Sequence, residues 1–437
     1  MADGLGLKRG GAFSEYIMKR IFVTLLMTGA LAAGQAGAQT VDAASDLGKF
    51  RDYRDAGMKA MDHNDSNAAM ANFMKAGEII PDSPSILLLK VQVAQKQGKL
   101  KDARAFLSEY VHRGYVLDLK KYADFRQFWD DALEARNRQN RSETGEVRVV
   151  SSSPDFAITE GLAYAPETTQ FFVSGVRTGT VTVLSTQGAR DLIHFRPGVA
   201  AYGLGLHDGK LWATTAASPQ TLKFDPKTAI PSKIVVIDPA NGQVVQTITD
   251  PSKSRKFGHL LLGAEDLYVA DSEHGEILRL NTYQGALQTL IPEGYMDTPD
   301  AMAERQDGKA LMVADYISGL YRVDLATGEM KHIMPPAEAS LLGISFMTRY
   351  GNDLVAIQTG FNPDKVLRLH MSDDWSEVKS VDVVLRSDTQ MGQPTQGIMD
   401  GDVFVFVAKS QWDALDGQGN ATKTPQNAVI AALKINP

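Results

Sequence analysis

The 437-residue chain contains no cysteine. Disulfide bonds, thiolate nucleophiles, zinc sites built on thiolates and iron–sulfur clusters are therefore excluded. The chain also lacks a long basic block, and its formal net charge is −7 at pH 7. Nucleic-acid binding needs clustered Lys and Arg to neutralise phosphates, so the charge argues against it and favours a small-molecule ligand.

No apolar run in the sequence has the length of a membrane span, which takes about 20 residues. The longest N-terminal run, residues 21 to about 33, follows a Lys-Arg pair and precedes Ala-Gly-Ala at 36–38. This order is typical of a secretory signal peptide. The sequence therefore predicts an N-terminal extension and signal peptide over residues 1–38, a periplasmic or secreted mature chain, and no membrane span in that mature chain.

Residues 40–141 have helical periodicity, and a small α-helical domain is predicted there. Six residues match the spacing of a tetratricopeptide repeat, in which small side chains let two antiparallel helices pack closely. They are Tyr53, Gly57, Ala69, Phe73, Ala76 and Pro81. The pattern weakens one period later, and a capping helix is predicted over residues 122–139. Two functions stay open for this tetratricopeptide-like block: a groove for a protein partner, or a structural cap on the domain that follows.

Residues 146–437 consist of short alternating apolar runs separated by Gly, Asp, Asn and Pro, which is typical of strands and turns. Six copies of a strand–turn–strand pattern begin roughly 40 to 55 residues apart, the interval of a four-stranded propeller blade. The last copy has three strands, and residues 146–152 are predicted to supply its fourth, which closes the ring. The sequence thus predicts a mainly β fold, a six-bladed β-propeller.

The first strand of each blade lines the channel of a propeller, so the six strand starts are expected to meet at one rim. The aligned residues at these starts are Glu160, Tyr202, Gly258, Asp300, Leu342 and Gln396. Glu160 and Asp300 are three blades apart and should face each other. Two buried carboxylates repel unless a cation, a proton or a polar ligand offsets their charge. They are predicted either to hold a hard divalent ion or to bond backbone amides without a ligand.

Further side chains are expected at the same rim. His259 is a candidate base or metal ligand. Arg177 and Lys409 lie in loops between second and third strands and are candidates to bind an anionic group of a substrate. Tyr202, together with Trp412, is a candidate aromatic wall for a sugar or lactone ring. Gln396 is predicted to contact the substrate from its strand start.

Asp271 and Asp315 end the two "VAD" segments at the same position of successive blades. A carboxylate that recurs at one blade position is expected to accept hydrogen bonds from the backbone of the adjacent turn. These two aspartates are therefore predicted to stabilise turns and to take no part in chemistry.

Two segments, "ITEGLAYAPETTQFFVS" and "TPDAMAERQDGKALMVADYISGLYRVD", resemble blade openings of the gluconolactonase, senescence marker protein and luciferin-regenerating enzyme family of six-bladed propellers. The resemblance covers about residues 146–437. It implies that Glu160 and Asp300 bind a divalent metal, with calcium, magnesium and zinc as candidates, and that Asp300 takes part in lactone hydrolysis.

The sequence departs from the family at two positions. Gly258-His259 stands where the family has an asparagine ligand, and the family's Asp-Gly is Asp300-Ala301. His259 is therefore either a substitute ligand that favours a softer ion, or a sign that strong metal binding is lost.

Two functions follow from these observations. The first is an exported, metal-dependent hydrolase of lactones or related esters, with Asp300 as general base and Glu160, Asp300 and His259 as metal ligands. The second is a non-catalytic propeller that binds a small ligand or a partner protein, with the helical repeats as a second contact surface.

Overall fold

A computed structural model of the protein describes residues 45–153, 158–250, 252–424 and 426–436. The signal peptide predicted over residues 1–38 lies outside the described residues. Within them, no helix combines the length and the apolar character needed to cross a membrane.

The N-terminal part of the described chain is helical. Its α-helices are α1 Asp46–Asp62, α2 Ser66–Ile79, α3 Pro84–Lys96, α4 Leu100–His112 and α5 Asp131–Arg141. The α1–α2 pair packs tightly because Gly57 faces the Phe73 ring, and a Cβ on Gly57 would lie 2.4 Å from a ring carbon. Ser83 caps α3 by accepting a hydrogen bond from the Ile86 amide, and Pro84 stands at its first position.

The single helix predicted over residues 122–139 is wrong. The chain forms a short 3-10 helix at Ala123–Phe128, extends through Trp129, and begins α5 at Asp131. The Asp130 side chain accepts a hydrogen bond from the Leu133 amide at 3.0 Å. Asp130 is therefore an N-cap, which starts a new helix where the apolar spacing alone suggested a continuous one.

The part of the chain that follows the helices consists of strands, joined by turns and a few short 3-10 helices. The strands are β1 Arg148–Ser153, β2 Thr159–Ala165, β3 Gln170–Gly175, β4 Thr180–Ser185, β5 Gly188–His194, β6 Val199–His207, β7 Lys210–Ala217, β8 Lys233–Ile237, β9 Val244–Ile248, β10 Phe257–Leu262, β11 Leu267–Asp271, β12 Glu276–Leu280, β13 Gln288–Ile291, β14 Pro299–Glu304, β15 Ala310–Asp315, β16 Gly319–Asp324, β17 Met330–Ile333, β18 Ile344–Tyr350, β19 Asp353–Gln358, β20 Lys365–Met371, β21 Val378–Arg386, β22 Gly397–Asp400, β23 Val403–Lys409 and β24 Ala428–Lys434.

These strands form six four-stranded antiparallel sheets, the blades of a six-bladed β-propeller. Blades 1 to 5 are built in chain order from β2–β5, β6–β9, β10–β13, β14–β17 and β18–β21. The first strand of each blade contacts the first strand of the next, and β22 returns to β2, so the ring is closed. The predicted fold is confirmed.

Blade 6 joins the two ends of the propeller. Its order is β22-β23-β24-β1, and β1 pairs antiparallel with β24 from Arg148 opposite Ala432 to Ser153 opposite Ala428. The prediction that residues 146–152 supply the missing outer strand is therefore confirmed. Pairing the N-terminal strand β1 with the C-terminal strand β24 places both ends of the propeller in one sheet, which holds the ring closed.

The first strands of blades 1 to 5 share an irregularity near their starts. The pairing with the second strand shifts at Glu160-Gly161, at Tyr202-Gly203, at Gly258-His259, at Asp300 and at Ser345. A bulge of this kind bends the strand and re-aims its side chain. The strand starts are therefore also the places where side chains turn toward the rim.

The sequence alignment of the six repeats was wrong in blade 5. Ser345, between Ile344 and Phe346, occupies the irregular position of blade 5. Leu342 precedes β18 and packs into a cluster with Leu47 and Phe50 of the helical part. Aligning Leu342 with Asp300 was wrong by three residues, because the apolar run Leu-Leu-Gly-Ile fits a strand start in more than one register.

The helices pack on the loops of blades 4 and 5. Asp82, at the α2–α3 turn, accepts hydrogen bonds from the Leu341 amide at 2.8 Å and the Ser340 hydroxyl at 3.1 Å. Apolar side chains of the propeller, including Leu342 and Phe361, complete the helical cores. The helical part thus packs directly on the propeller, and both functions predicted for it, a structural cap and a groove for a protein partner, stay predictions.

Candidate functional site

Close contact between blades explains the Glu-Gly sequence at the start of β2. The Ser174 hydroxyl lies 2.6 Å from the Gly161 amide and 2.6 Å from the Tyr202 carbonyl, so it bridges blades 1 and 2. A Cβ on Gly161 would lie 2.2 Å from the Tyr202 carbonyl oxygen. Only glycine fits this position, and the backbone of Glu160 is thereby fixed at the rim.

A hydroxyl bridges blades 2 and 3 in the same way, but the second strand of blade 3 has no hydroxyl at this level. The Thr214 hydroxyl accepts from the Gly203 amide at 2.9 Å and donates to the Gly258 carbonyl at 2.6 Å. In blade 3 the second-strand residue at this level is Ala270, which has no hydroxyl. The first strand there carries His259 in the place where blades 1 and 2 have glycine.

The Glu160 side chain is held in an apolar surrounding. The Trp412 indole Nε1 donates a hydrogen bond to Glu160 Oε2 at 2.5 Å. Trp412 itself packs with Tyr202, Ile158 and Val176. Burial raises the pKa of Glu160 to about 8, the bond from Trp412 opposes that rise, and the negative charge of Asp300 adds to it.

Asp300 occupies the equivalent position of blade 4. Burial raises its pKa to about 7, and the nearby Asp315 carboxylate adds to the increase. Because the charge of Asp300 also raises the pKa of Glu160, the two carboxyls interact electrostatically across the ring. Both groups therefore titrate near neutral pH, where one carboxyl can carry a proton while the other is ionised.

His259 and Ser345 bring further polar atoms to the inner strands. His259 is 7% exposed, and its Nδ1 has no hydrogen-bond partner among the residues that the structure describes. Burial lowers the pKa of His259 to about 4, so the imidazole is neutral at pH 7. Its ring packs edge-on against Phe346, with centroids 5.4 Å apart. Ser345 Oγ is likewise buried, and no described residue forms a hydrogen bond with it.

The donor chemistry of this rim fits a hard divalent cation in part. Two coupled carboxyls with raised pKa values, and a hydroxyl oxygen without a partner, are groups that a bound cation would stabilise. The ligating atoms of Glu160, Asp300 and His259 do not all lie within 4.8 Å of one another. Glu160 and Asp300 are the two carboxyls of this rim that could take part in holding an ion, and the metal-binding roles predicted for them and for His259 stay predictions.

A separate group of three side chains does have its ligating atoms that close together. Ligating atoms of Asp271, His274 and Glu276 lie within 4.8 Å of one another. The Arg255 guanidinium bonds both carboxylates, with 3.1 Å between its Nη1 and Asp271 Oδ2. A fixed positive charge thus already stands beside these acids, and the group is explained as a buried ion-pair network.

The turn-stabilising role predicted for Asp271 and Asp315 is confirmed. Asp271 Oδ1 accepts hydrogen bonds at 3.1 Å from the amides of Lys256 and Glu273. Asp315 accepts from the Thr298 amide at 2.9 Å and the Asp297 amide at 3.2 Å. Each aspartate ties the end of a second strand to the segment that leads into the first strand of its blade.

The four predicted substrate-binding residues have different surroundings. Arg177 Nη1 donates to the carbonyls of Gln220 at 2.9 Å and Gly419 at 3.2 Å, so the guanidinium joins three loops. Lys409 Nζ reaches the Thr389 carbonyl at 3.5 Å and lines a cleft beside blade 6. These observations describe the two cations and leave their predicted ligand contacts untested.

Tyr202 and Gln396 lie beside Glu160. Tyr202 packs on Trp412, and burial together with the charge of Glu160 raises the pKa of its phenol. Gln396 is buried, and its amide lies 3.4 Å from the Glu160 carbonyl oxygen. The structure therefore brings Tyr202, Gln396 and Trp412 to the same rim position as Glu160.

The residues that the sequence did not reveal are Ser345 and Gln411. Ser345 was hidden by the misaligned start of blade 5. Gln411 is 3% exposed, and in the part of the chain that the structure describes neither its amide oxygen nor its amide nitrogen has a hydrogen-bond partner. The signal for Gln411 was its position in "KSQW" between Lys409 and Trp412, both of which the sequence had placed at the rim.

No family model and no curated protein matches the chain. Several solved structures are similar to the chain in fold. One is a gluconolactonase from Xanthomonas campestris, with 12% identity, a TM-score of 0.46, and coverage of 67% of this chain and 94% of that one. Another is a protein of unknown function from Bacteroides thetaiotaomicron, with 14% identity, a TM-score of 0.48, and coverage of 67% and 73%. A third is from a nidogen–laminin complex, with 14% identity, a TM-score of 0.41, and coverage of 53% and 83%. At these values the similarity carries no functional argument.

Proposed function

We propose that this protein is an exported, metal-dependent hydrolase of lactones or related esters, acting at the channel rim. The observation that carries the proposal is the pair of coupled carboxyls, Glu160 and Asp300, whose pKa values are raised to about 8 and about 7. Carboxyls tuned toward neutral pH in this way are a feature of acid–base catalysis. Export rests on the sequence of residues 1–38.

Asp300 is the general base of the proposed reaction. With a pKa near 7, its carboxylate can take a proton from the water that attacks the substrate carbonyl and still be ionised at neutral pH. The attack forms the new C–O bond, and the acyl bond to the ring oxygen then breaks. The ring oxygen receives a proton, so one water is consumed and a hydroxy acid is formed.

Glu160 and its neighbours orient the reacting groups. The Trp412 hydrogen bond fixes one oxygen of the Glu160 carboxyl. The Tyr202 and Trp412 rings form an apolar wall that limits water around the carboxyl. Held by Glu160 and Asp300, a divalent cation would supply polarisation of the carbonyl and a lower pKa for bound water.

The test is a lactone-hydrolysis screen on wild type, Asp300→Asn and a matched control, Asp400→Asn. Asp400 is an exposed aspartate of blade 6. Asp300→Asn is expected to lose at least about 100-fold in rate, the usual contribution of a general base, while Asp400→Asn keeps wild-type activity. Chelator should abolish the activity, and calcium, magnesium or zinc should restore it.

The outcomes separate the two functions open for the propeller. Equal rates for wild type and Asp300→Asn would contradict the mechanism. A wild-type protein that hydrolyses none of the lactones or esters, yet binds a small ligand or partner protein, would instead support the non-catalytic function.

A further inference from the structure

Gln411 carries a buried amide that forms no hydrogen bond with any described residue. It has a left-handed backbone, with φ of 70°, at the start of the short 3-10 helix Trp412–Ala414. The side chain is 3% exposed, and both of its polar atoms lack partners within the described residues. An unpaired buried amide is costly, so such a group needs an explanation in a bound ligand or water.

Gln411 lines a cleft of about 220 Å³ on the rim side of blade 6. Lys409, Asp413, Lys423, Gly392 and Met391 also line this cleft. Lys423 forms an ion pair with Asp413, so these two charges offset each other. Lys409 has a long hydrogen bond, at 3.5 Å, to the neutral Thr389 carbonyl. It forms no ion pair with a described residue, so its positive charge is unbalanced in this part of the cleft.

The same turn serves the cleft and the carboxyl pair. Gln411 faces the cleft, while its neighbour Trp412 donates the hydrogen bond to Glu160. The turn is anchored to both neighbouring segments, because the Ser410 carbonyl accepts from the Thr159 amide at 3.1 Å and the Ser410 hydroxyl donates to the Gln393 carbonyl at 2.6 Å. A ligand in the cleft therefore lies beside the residue that orients Glu160.

We propose that this cleft is a binding site for a hydroxycarboxylate. The Gln411 amide nitrogen donates to a carboxylate oxygen, the amide oxygen accepts from a hydroxyl group on the same ligand, and the Lys409 ammonium balances the charge. A neutral amide ligand would satisfy Gln411 and leave Lys409 unbalanced. A simple carboxylate would balance Lys409 and leave the Gln411 oxygen without a donor.

The class of ligand connects this cleft to the proposed function, on which this assignment of the product rests. Opening a lactone with water yields a hydroxycarboxylate, so the cleft is a site for the product of that reaction. The binding does not depend on Asp300, which belongs to blade 4, and it can therefore be measured without catalysis.

Calorimetry with three small probes tests the site: glycerate, which has both a carboxylate and hydroxyls; propionate, which lacks hydroxyls; and glycerol, which lacks the carboxylate. Glycerate is expected to bind at least about tenfold more tightly than either other probe, since each lost group removes a charge-assisted or neutral hydrogen bond. Lys409→Met and Gln411→Met should each weaken glycerate binding about tenfold. Lys434→Met, at an exposed lysine of the same blade, should leave it unchanged.

Binding of all three probes with similar affinity, or unchanged glycerate binding in Lys409→Met, would overturn the proposal. Circular dichroism identifies a variant that fails to fold, and Lys409→Arg, which keeps the charge, should then retain most of the glycerate affinity.

The Asp300→Asn protein separates this inference from the proposed function. Retained glycerate binding in Asp300→Asn, without lactone hydrolysis by wild type, supports the cleft and refutes the hydrolase. Lactone hydrolysis by wild type with no glycerate binding refutes the cleft alone.

Discussion

Replacing Glu160 with glutamine should stabilise the protein when the pH is above the ordinary pKa of a glutamate. Burial and the charge of Asp300 raise the pKa of Glu160 from 4.5 to about 8. At about 1.4 kcal/mol per pKa unit, this shift corresponds to about 5 kcal/mol of folding free energy. Glutamine keeps the shape of the side chain and an oxygen that accepts from Trp412, and it removes the group that resists ionisation.

The contribution of Glu160 to folding stability decreases as the pH rises. The folded state binds this proton more tightly than the unfolded state, so the contribution of Glu160 to stability is fully present below about pH 4.5. As the pH rises, the unfolded chain ionises first and stability falls until about pH 8, where the folded protein also releases the proton. The free energy of unfolding of Glu160→Gln should therefore equal that of wild type near pH 4.5 and exceed it most near pH 8.

Urea unfolding of both proteins at several pH values, in chelator, measures the effect. The chelator matters because a bound cation would offset the charge of Glu160 and reverse the comparison. Glu265→Gln is the matched control, since Glu265 is exposed in blade 3. A stability difference between wild type and Glu160→Gln that does not change with pH would refute the raised pKa.

Two other substitutions test single contacts. Trp412→Phe removes the hydrogen bond to Glu160 and should raise the pKa of that carboxyl by about one unit. The reason is that a hydrogen bond to a charged group contributes about 1.5–3 kcal/mol. NMR titration of the Glu160 carboxyl measures this pKa. Trp212→Phe is the control, because the Trp212 indole nitrogen is buried and has no partner within the described ranges. An equal pKa shift in both variants would contradict the assignment. Asp82→Ala removes the acceptor of two propeller donors and should lower the free energy of unfolding by about 2–4 kcal/mol. Asp62→Ala, at an exposed helix end, should change it little, and equal losses in urea unfolding would refute a role for Asp82 in docking.

The propeller was predictable because its evidence is repeated. Six copies of a strand pattern fix the blade count, and a three-stranded last copy requires an outer strand from elsewhere in the chain. The closing strand β1 could be found by elimination, since residues 146–152 had no other partner. Pairing of β1 with β24 follows from the hydrogen-bonding needs of a sheet edge and requires no knowledge of side-chain packing.

The details of the site were less predictable because they depend on single residues. Pattern matching placed Leu342 at the rim, while the bulge of blade 5 is at Ser345. Nothing in local sequence distinguishes these registers, and the difference is decided by Leu342 packing against the helices. The bond from Trp412 to Glu160 joins residues 252 positions apart. Contacts of that kind follow from ring closure and not from motif spacing.

The helical part is connected to the candidate site by a short chain of contacts through blade 4. Arg51 of α1 forms an ion pair with Asp297, which also accepts a hydrogen bond from the Thr298 hydroxyl at 3.1 Å. The amides of Asp297 and Thr298 are held by Asp315, and that carboxylate contributes to the raised pKa of Asp300. Since Asp297 and Asp300 are three residues apart, the helices help to fix the start of β14. These contacts give the predicted cap a physical role, because they connect it to the strand that presents the proposed general base.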